Sequence, residues 1–315
     1  MSETLSSQLS IFRGSTVLIT GAAGFIGKHL VSALNKLGAN IILVDRKTSG
    51  NIHGVDVSIA NQVDRIFKTT SLTRGKSIDY VFHLADQNNA SIAQKNPVET
   101  LKTSFNATLN ILESSRKLGT IKKVILISSL ALYGLNEDHS NEMLTELHSI
   151  HNDSIYSTTK ICSETLGLAY YKNFSIPVSI ARLSNVYGPN QSSAAVIPSL
   201  ISQMRDGQKI SMGNNQSVRD FIHVQDVVDA LVLIASHDSS TGQVFNVSTS
   251  KGTSIQMIAD LLSQNLEYNG KINVDKLKVR INEKVFLVAD NTKIKKTIGW
   301  SPKINIEVGL KNLCQ

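Results

Sequence analysis

The chain has 315 residues, of which 41% are hydrophobic, and a formal charge of +7 at neutral pH. This length can bury a sizeable core in one large or two fused domains, and no 18-residue apolar run suggests a membrane span. Two cysteines, Cys162 and Cys314, lack metal-like spacing, which argues against a zinc site or a disulfide framework. We therefore expect a cytoplasmic protein that holds no metal.

The opening stretch, MSETLSSQLS, has an acidic residue and no cationic start before an apolar run. It is predicted to be a polar leader and not a signal peptide. The positive charge is spread along the chain, and its one dense cluster is shorter than a polybasic tail: Lys293, Lys295 and Lys296. We expect this cluster to be a solvated face, with neither nucleic acid nor a membrane as a partner.

Along the first half, β-rich apolar runs alternate with helical periods, which is typical of a doubly wound parallel sheet in an α/β protein. The predicted strands span residues 16–20, 41–44, 80–84, 124–128 and 178–181. The predicted helices lie near residues 24–37, 61–70, 97–118 and 155–173. Past residue 187 the alternation fades into polar loops and short helices, which indicates a smaller second lobe.

The first predicted strand leads into TGAAGFIG, where three glycines are spaced three apart. Gly21 can adopt a positive φ in a tight turn, Gly24 lets the backbone approach a pyrophosphate, and Gly27 lets a helix lie close to the strand. A second apolar run ends at Asp45, about where a ribose-binding carboxylate is expected. An ordinary loop and a capping aspartate are the alternative, but the combined motif favours a dinucleotide site on a Rossmann-type sheet.

The stretch YSTTK places Tyr156 and Lys160 four residues apart on a predicted helix, so their side chains share a face. An ammonium there pulls the phenol pKa of about 10 toward neutrality, which suits a general base for a hydroxyl group. Ser129 closes the fourth predicted strand, where its hydroxyl can bind the same substrate oxygen. A chance spacing, with Ser128 and Ser129 as mere caps, is the alternative. We favour catalysis because the three groups converge on the predicted cofactor edge.

These motifs resemble the extended short-chain dehydrogenases/reductases, and within them the NAD-dependent sugar-nucleotide epimerase/dehydratase family, in its UDP-glucose 4-epimerase-like branch. The matching stretches follow the family's order over nearly the whole chain and include LITGAAGFIG, VFHLAD, LISSLALYG, YSTTK, ARLSNVYGPN and RDFIHVQDVVDA. The resemblance implies an NAD-binding Rossmann domain over residues 1–180. Residues 181–315 would form mainly a substrate-binding lobe, with some segments returning to the first domain.

The resemblance also implies which residues form the site, with NAD as the cofactor and a nucleotide sugar as the substrate. The implied NAD-binding residues are Gly21, Gly24, Phe25, Ile26, Gly27, Asp45, Asp56, Val57, Leu84, Ala85 and Lys160. The implied catalytic residues are Ser129, Tyr156 and Lys160. Asn185 would meet the sugar nucleotide, and Arg219 and Arg280 would bracket its diphosphate, since guanidinium groups bind phosphate oxygens bidentately. Leu287 would wall off C2 of the hexose.

Family members pair two helices across a two-fold axis, so the resemblance implies a homodimer formed through residues 97–118 and 155–173. The chain also departs from the family pattern in several places, among them a loop over residues 135–155 that lacks the family's prolines. Asp86 stands where the family commonly has alanine, and Ser104 where it has asparagine. Leu130 and Ala131 stand where the dehydratases have an Asp-Glu pair, so dehydration lacks an evident proton donor.

We therefore expect an NAD-dependent nucleotide-sugar 4-epimerase, acting on a UDP-hexose or a UDP-N-acetylhexosamine by transient oxidation at C4. One alternative is an NAD(P)H-dependent reductase of a 4-keto-deoxysugar nucleotide, which the same three residues would serve. Another is a catalytically silent NAD-binding regulatory protein, since a fold does not fix a function. Two further candidates, His83 and Cys162, are expected to be core residues and not catalytic groups.

Overall fold

The computed structural model describes residues 9–74, 77–86, 90–134, 142–207, 209–275 and 286–315. Most of the predicted polar leader lies outside the described residues, and so does the predicted diphosphate ligand Arg280. None of the described helices is long and apolar enough to cross a membrane.

A seven-stranded sheet, parallel throughout, forms the centre of the molecule. Its strands are β1 (Thr16–Thr20), β2 (Asn40–Asp45), β3 (Ile52–Gly54), β4 (Tyr80–His83), β5 (Lys123–Ser129), β6 (Val178–Leu183) and, later in the chain, β10 (Val244–Val247). They lie in the order β10-β6-β5-β4-β1-β2-β3. Every residue of β1, β4 and β6 is buried, as expected of strands covered on both faces.

Five of these strands match the predicted ones, with ends that differ by two residues at most. The prediction missed the two edge strands. β3 has only three residues, two of them exposed, so it carries no apolar run. The apolar run of β10 is interrupted by the polar Asn246. This side chain is fully buried, and its amide offsets the cost of burial by donating to the carbonyls of Leu144 and Asp290.

Helices cover both faces of the sheet, and alternate residues of each strand face opposite layers. Val17 and Ile19 of β1 pack under α1 (Phe25–Lys36) and α7 (Val224–Ser236), whereas Leu18 packs in the other layer. That second layer contains α2 (Ala60–Arg74), α4 (Pro97–Leu118) and α5 (Ile155–Phe174), with the short α3 (Ala90–Lys95) before α4. The four predicted helices of the first half are therefore all present.

The second half of the chain adds a smaller sheet and its helices. β9 (Val218–His223) pairs with β7 (Asn185–Tyr187), β11 (Gly252–Ser254) and β13 (Phe286–Leu287), while β8 (Ile210–Met212) pairs with β12 (Ile272–Val274). The helices here are α6 (Val196–Arg205), α8 (Ile255–Asn265), α9 (Thr292–Ile298) and α10 (Ile306–Cys314). α7 and β10 also come from this half but pack on the central sheet. The division at residue 180 falls inside β6 and stays a prediction.

A buried ion pair fixes α5 against the sheet. Arg182 of β6 donates to both carboxylate oxygens of Glu164 at 2.9 and 2.7 Å, and the two side chains are 6% and 4% exposed. The guanidinium also donates to the Tyr133 hydroxyl, which in turn donates to Asn246. Burial opposes the charge on Arg182, but its hydrogen bonds and its attraction to Glu164 outweigh this and raise its pKa.

Glu164→Gln is expected to lower the free energy of unfolding by about 3 kcal/mol, because it leaves the buried Arg182 charge uncompensated. Urea denaturation measures this loss. The matched control is Glu113→Gln, which breaks a surface pair with Arg116 at 2.7 Å and should cost about 1 kcal/mol at most. Equal losses of unfolding free energy in the two variants would show that the buried position of the Arg182–Glu164 pair adds nothing to its contribution to stability.

Candidate active site at the carboxyl edge of the sheet

The turn between β1 and α1 is too crowded for side chains at two of its glycines. Gly21 has φ of +69°, and a Cβ there would lie 2.8 Å from the backbone nitrogen of Ala85 and 2.9 Å from the carbonyl carbon of Leu84. A Cβ on Gly27 would lie 2.3 Å from the carbonyl oxygen of Gly21. The turn is thus pressed between the end of β4 and the first turn of α1, as the glycine spacing predicts.

The N-terminus of α1 faces this turn. Gly24 is the N-cap and offers no side chain to cap the helix, so the first amides, at Phe25 and Ile26, receive no side-chain hydrogen bond from it. Uncapped amides at a helix N-terminus attract an anion through their N–H groups and the helix dipole. This part of the edge therefore offers backbone N–H groups suited to a phosphate group.

Two carboxylates lie at the ends of the neighbouring strands. Asp45, the last residue of β2, accepts hydrogen bonds from the backbone amides of Ala23 at 3.1 Å and Lys47 at 3.3 Å, which hold it beside the glycine turn. Asp56 follows β3 and accepts from the amide and the hydroxyl of Ser58. The next residue, Val57, is buried. The carboxyl ends of β1, β2, β3 and β4 thus carry the residues predicted to bind the dinucleotide.

Ser129 is the last residue of β5, and its hydroxyl oxygen accepts the amide of Ala131 at 3.1 Å. This bond caps a short 3₁₀ helix at Leu130–Tyr133, so the capping alternative describes part of its role. The cap uses the oxygen as an acceptor, which leaves the hydroxyl proton and a second lone pair for a ligand. Ser129 can therefore cap the helix and bind a substrate oxygen at once.

Tyr156 and Lys160 lie on successive turns of α5, which begins after a capping box formed by Ser154 and Ser157. The Lys160 ammonium lies 5.8 Å from the centre of the Tyr156 ring and donates to the carbonyl of Ile127 at 3.0 Å. Ile127 is two residues before Ser129 on β5. The structure therefore brings the three predicted catalytic side chains to the end of the same strand.

The sequence identified Asp86 as unusual but did not reveal its partners. Asp86 follows β4, and one of its carboxylate oxygens lies 2.7 Å from the Lys160 ammonium, while the other accepts the hydroxyl of Ser104. Burial raises the pKa of Asp86, but the Lys160 charge and the two hydrogen bonds outweigh this and hold the pKa below its usual value. Burial likewise opposes the charge of Lys160, and Asp86 restores it, so that the lysine pKa is raised. The pair is ionised.

His83 lies beneath this cluster at the end of β4. It is buried, and its Nδ1 is 2.8 Å from the hydroxyl of Thr20 on β1. Burial lowers the pKa of His83 to about 4, so the imidazole is neutral near pH 7. These contacts are those of a core histidine, in agreement with the sequence analysis.

Three of the predicted substrate residues, Asn185, Arg219 and Leu287, lie in the smaller sheet. Leu287 of β13 is in register with Arg219 of β9, and Asn185, the first residue of β7, is in register with Phe221 of β9. Leu287 packs against an apolar cluster that includes Leu130, next to Ser129. The other members are Leu132, Tyr133, Leu144, Ala289 and Ile161. This apolar wall, as we call the cluster with Leu287, connects the smaller sheet to the end of β5.

Within the ranges that the structure describes, no group of three or more histidine, cysteine or acidic side chains could hold a metal ion. Cys162 and Cys314 are both free thiols of intermediate exposure.

Comparisons with known proteins agree with this architecture. The model of the NAD-dependent epimerase/dehydratase family matches residues 17–248. A putative UDP-glucose 4-epimerase of Methanocaldococcus jannaschii is 29% identical, with 94% of this chain and 96% of the relative covered. A UDP-N-acetyl-alpha-D-glucosaminuronate decarboxylase of Bacillus cytotoxicus is 30% identical, with 95% and 96% covered. The crystal structure of a UDP-glucose 4-epimerase of Thermotoga maritima, with UDP-glucose, is 31% identical over 94% of this chain and 96% of that one, with a TM-score of 0.86.

Proposed function

Because the chain belongs to the NAD-dependent epimerase/dehydratase family, we propose that it is a nucleotide-sugar 4-epimerase that retains NAD as a catalyst. The crowded turn at Gly21 and Gly27, with the open N-terminus of α1, fits a dinucleotide pyrophosphate. Asp45 would hold the adenosine ribose, and Lys160 would line the nicotinamide end of the site. When bound, NAD supplies the reversible removal and return of a hydride.

The residues of this chain would move the proton that accompanies that hydride. Tyr156 would take the proton of the sugar C4 hydroxyl, and Ser129 would bind the same oxygen. The Lys160 ammonium, 5.8 Å from the centre of the Tyr156 ring, would stabilise the negative charge that develops on the phenol oxygen. After the 4-keto sugar turns over, Tyr156 would give the proton back as the hydride returns to the other face. No proton or electron is consumed overall.

The observation that carries this proposal is the apolar wall beside Ser129. Loss of water from C5 and C6 of the sugar needs an acid and a base near those carbons. The residues directly after Ser129 are Leu130 and Ala131, which carry neither an acid nor a base, and Leu130 packs in the apolar wall, whose one polar side-chain group is the Tyr133 hydroxyl. That hydroxyl already donates to Asn246, and burial raises the Tyr133 pKa to about 12. The site therefore supports exchange at C4 better than dehydration.

The proposal is tested with the purified protein and a panel of UDP-, GDP- and dTDP-sugars, without added cofactor, followed by product chromatography. We expect bound nicotinamide to survive purification, and one pair of C4 epimers to interconvert. Tyr156→Phe is the control and should reduce the rate by about 100-fold or more, since it removes the general base. Turnover that depends on added NAD(P)H would favour the 4-keto-sugar reductase instead. Absence of turnover on the whole panel would favour a silent NAD-binding protein.

Asp45 generates a prediction about the cofactor. Its carboxylate would accept hydrogen bonds from the ribose hydroxyls and repel a 2′-phosphate, so NAD should bind more tightly than NADP. Arg46 and Lys47 next to it could receive that phosphate, which would narrow the difference in affinity between NAD and NADP. The measured affinity of the wild type should be higher for NAD than for NADP, and Asp45→Ala should bring the two affinities closer together. Equal or tighter binding of NADP by the wild type would contradict the role of Asp45.

Leu287 generates a prediction about the sugar. A tyrosine at the wall of the C2 pocket leaves room for a hydroxyl group only, whereas leucine is smaller and leaves room for an N-acetyl group. We expect Leu287→Tyr to lower kcat/KM for UDP-N-acetylglucosamine by about 10- to 100-fold through overpacking, about 1–3 kcal/mol, with little effect on UDP-glucose. Kinetics with both substrates measure the ratio. An unchanged ratio would show that Leu287 does not contact the C2 substituent.

Two further parts of the proposal concern assembly and location. Apolar side chains on α4 and α5 lie exposed in the single chain, among them Val98 at 77%, Phe105 at 40% and Phe174 at 52% exposure. Burial of these residues against a second copy would remove apolar surface from water, so we propose a homodimer. The free cysteines Cys162 and Cys314 suit a reducing compartment, so we propose that the dimer lies in the cytoplasm. Light scattering that gives a monomer mass at micromolar concentration, independent of dilution, would contradict the dimer.

A further inference from the structure

The pairing of Asp86 with Lys160 changes the charge balance beside Tyr156. Lys160 has three ammonium protons, and two are directed to the Asp86 carboxylate at 2.7 Å and the Ile127 carbonyl at 3.0 Å. Both side chains are largely buried, with Lys160 5% and Asp86 13% exposed. Solvent therefore screens this pair weakly, and the carboxylate offsets much of the ammonium charge at nearby groups.

The other titratable groups near Lys160 are either paired with an opposite charge or neutral. Glu164, one turn further along α5, is fully engaged by Arg182 of β6. On β4, burial keeps His83 neutral by lowering its pKa to about 4. After β5, burial keeps Tyr133 neutral by raising its pKa to about 12. Among the described residues of these elements, Asp86 is thus the carboxylate that faces Lys160 directly.

We propose that Asp86 is a positioning residue that holds Lys160 beside Tyr156 and cancels part of the ammonium charge there. This inference rests on the proposed function in that it takes Tyr156 as the group that exchanges a proton with the sugar. Ser104 supports the arrangement, because its buried hydroxyl donates to the Asp86 oxygen that Lys160 does not occupy. The two departures from the family pattern, at positions 86 and 104, therefore form one contact.

The sign of the effect follows from electrostatics. Removal of a negative charge stabilises phenolate relative to phenol, so Asp86→Asn should allow phenolate to form at lower pH. The charge that is lost belongs to a buried pair whose ammonium lies 5.8 Å from the Tyr156 ring centre, so the titration midpoint of the variant should differ by about one pH unit. The active form of the base would then extend to lower pH.

The test is a near-ultraviolet phenolate titration of the full-length protein, with no sugar added. The signal of Tyr156 is the difference between each protein and its Tyr156→Phe counterpart. Asp86→Asn keeps the volume of the side chain and its hydrogen-bonding positions, and Asp86→Ala restores the residue that the family pattern commonly has. The matched control is Asp79→Asn, which neutralises a carboxylate paired with Lys122 at 2.9 Å at the opposite end of β4 and β5.

We expect the Tyr156 midpoint to fall by about one pH unit in both Asp86 variants and to stay unchanged in Asp79→Asn. An unchanged or higher midpoint in Asp86→Asn would overturn the proposal, and so would loss of the folded state in both Asp86 variants, which would make Asp86 a stability residue only. Because the titration needs no turnover, its result is independent of whether the sugar panel shows epimerisation. Where turnover is found, the acid limb of the pH profile of kcat/KM should move toward lower pH by the same amount in the Asp86 variants.

Discussion

One face of α5 carries Tyr156 together with two charged side chains that tie the helix to the sheet. Tyr156, Lys160 and Glu164 are four residues apart, so they lie one above another on that face. Lys160 is held by the Ile127 carbonyl of β5, and Glu164 is held by Arg182 of β6. Two buried charges therefore fix the rotation and the height of the helix on the sheet. The orientation of Tyr156 toward the end of β5 depends on them.

The site has two halves of opposite character. Toward β4 it is polar and charged, with Asp86, Lys160 and Ser104 in contact. Toward the smaller sheet it is apolar, where Leu130 and Leu287 share one cluster. In the proposed reaction the first half would exchange a proton with a single sugar oxygen, and the second half would provide a surface on which a keto sugar changes its face. The proposal of epimerisation, and not dehydration, rests on this division.

Much of the fold could be predicted because its signals are local. Continuous apolar runs revealed five central strands, and the glycine spacing revealed the turn that the contacts of Gly21 and Gly27 require. β10 escaped prediction because Asn246 interrupts its apolar run. The partners of Asp86 escaped because they lie 18 and 74 residues away in the chain, and no local pattern encodes such a contact. The register that sets Leu287 beside Arg219 is a long-range property of the same kind.

The most direct test of the central claim follows the hydrogen at C4 of the sugar. A nucleotide sugar from the pair of C4 epimers that the proposed reaction would interconvert is prepared with deuterium at C4 and incubated with the protein in ordinary water without added cofactor. If Tyr156 exchanges only the hydroxyl proton and the same hydride returns to C4, the product epimer retains the deuterium at C4 when analysed by mass spectrometry and NMR. Deuterium lost to solvent, or found at another carbon of the sugar, would contradict epimerisation by oxidation and hydride return at C4.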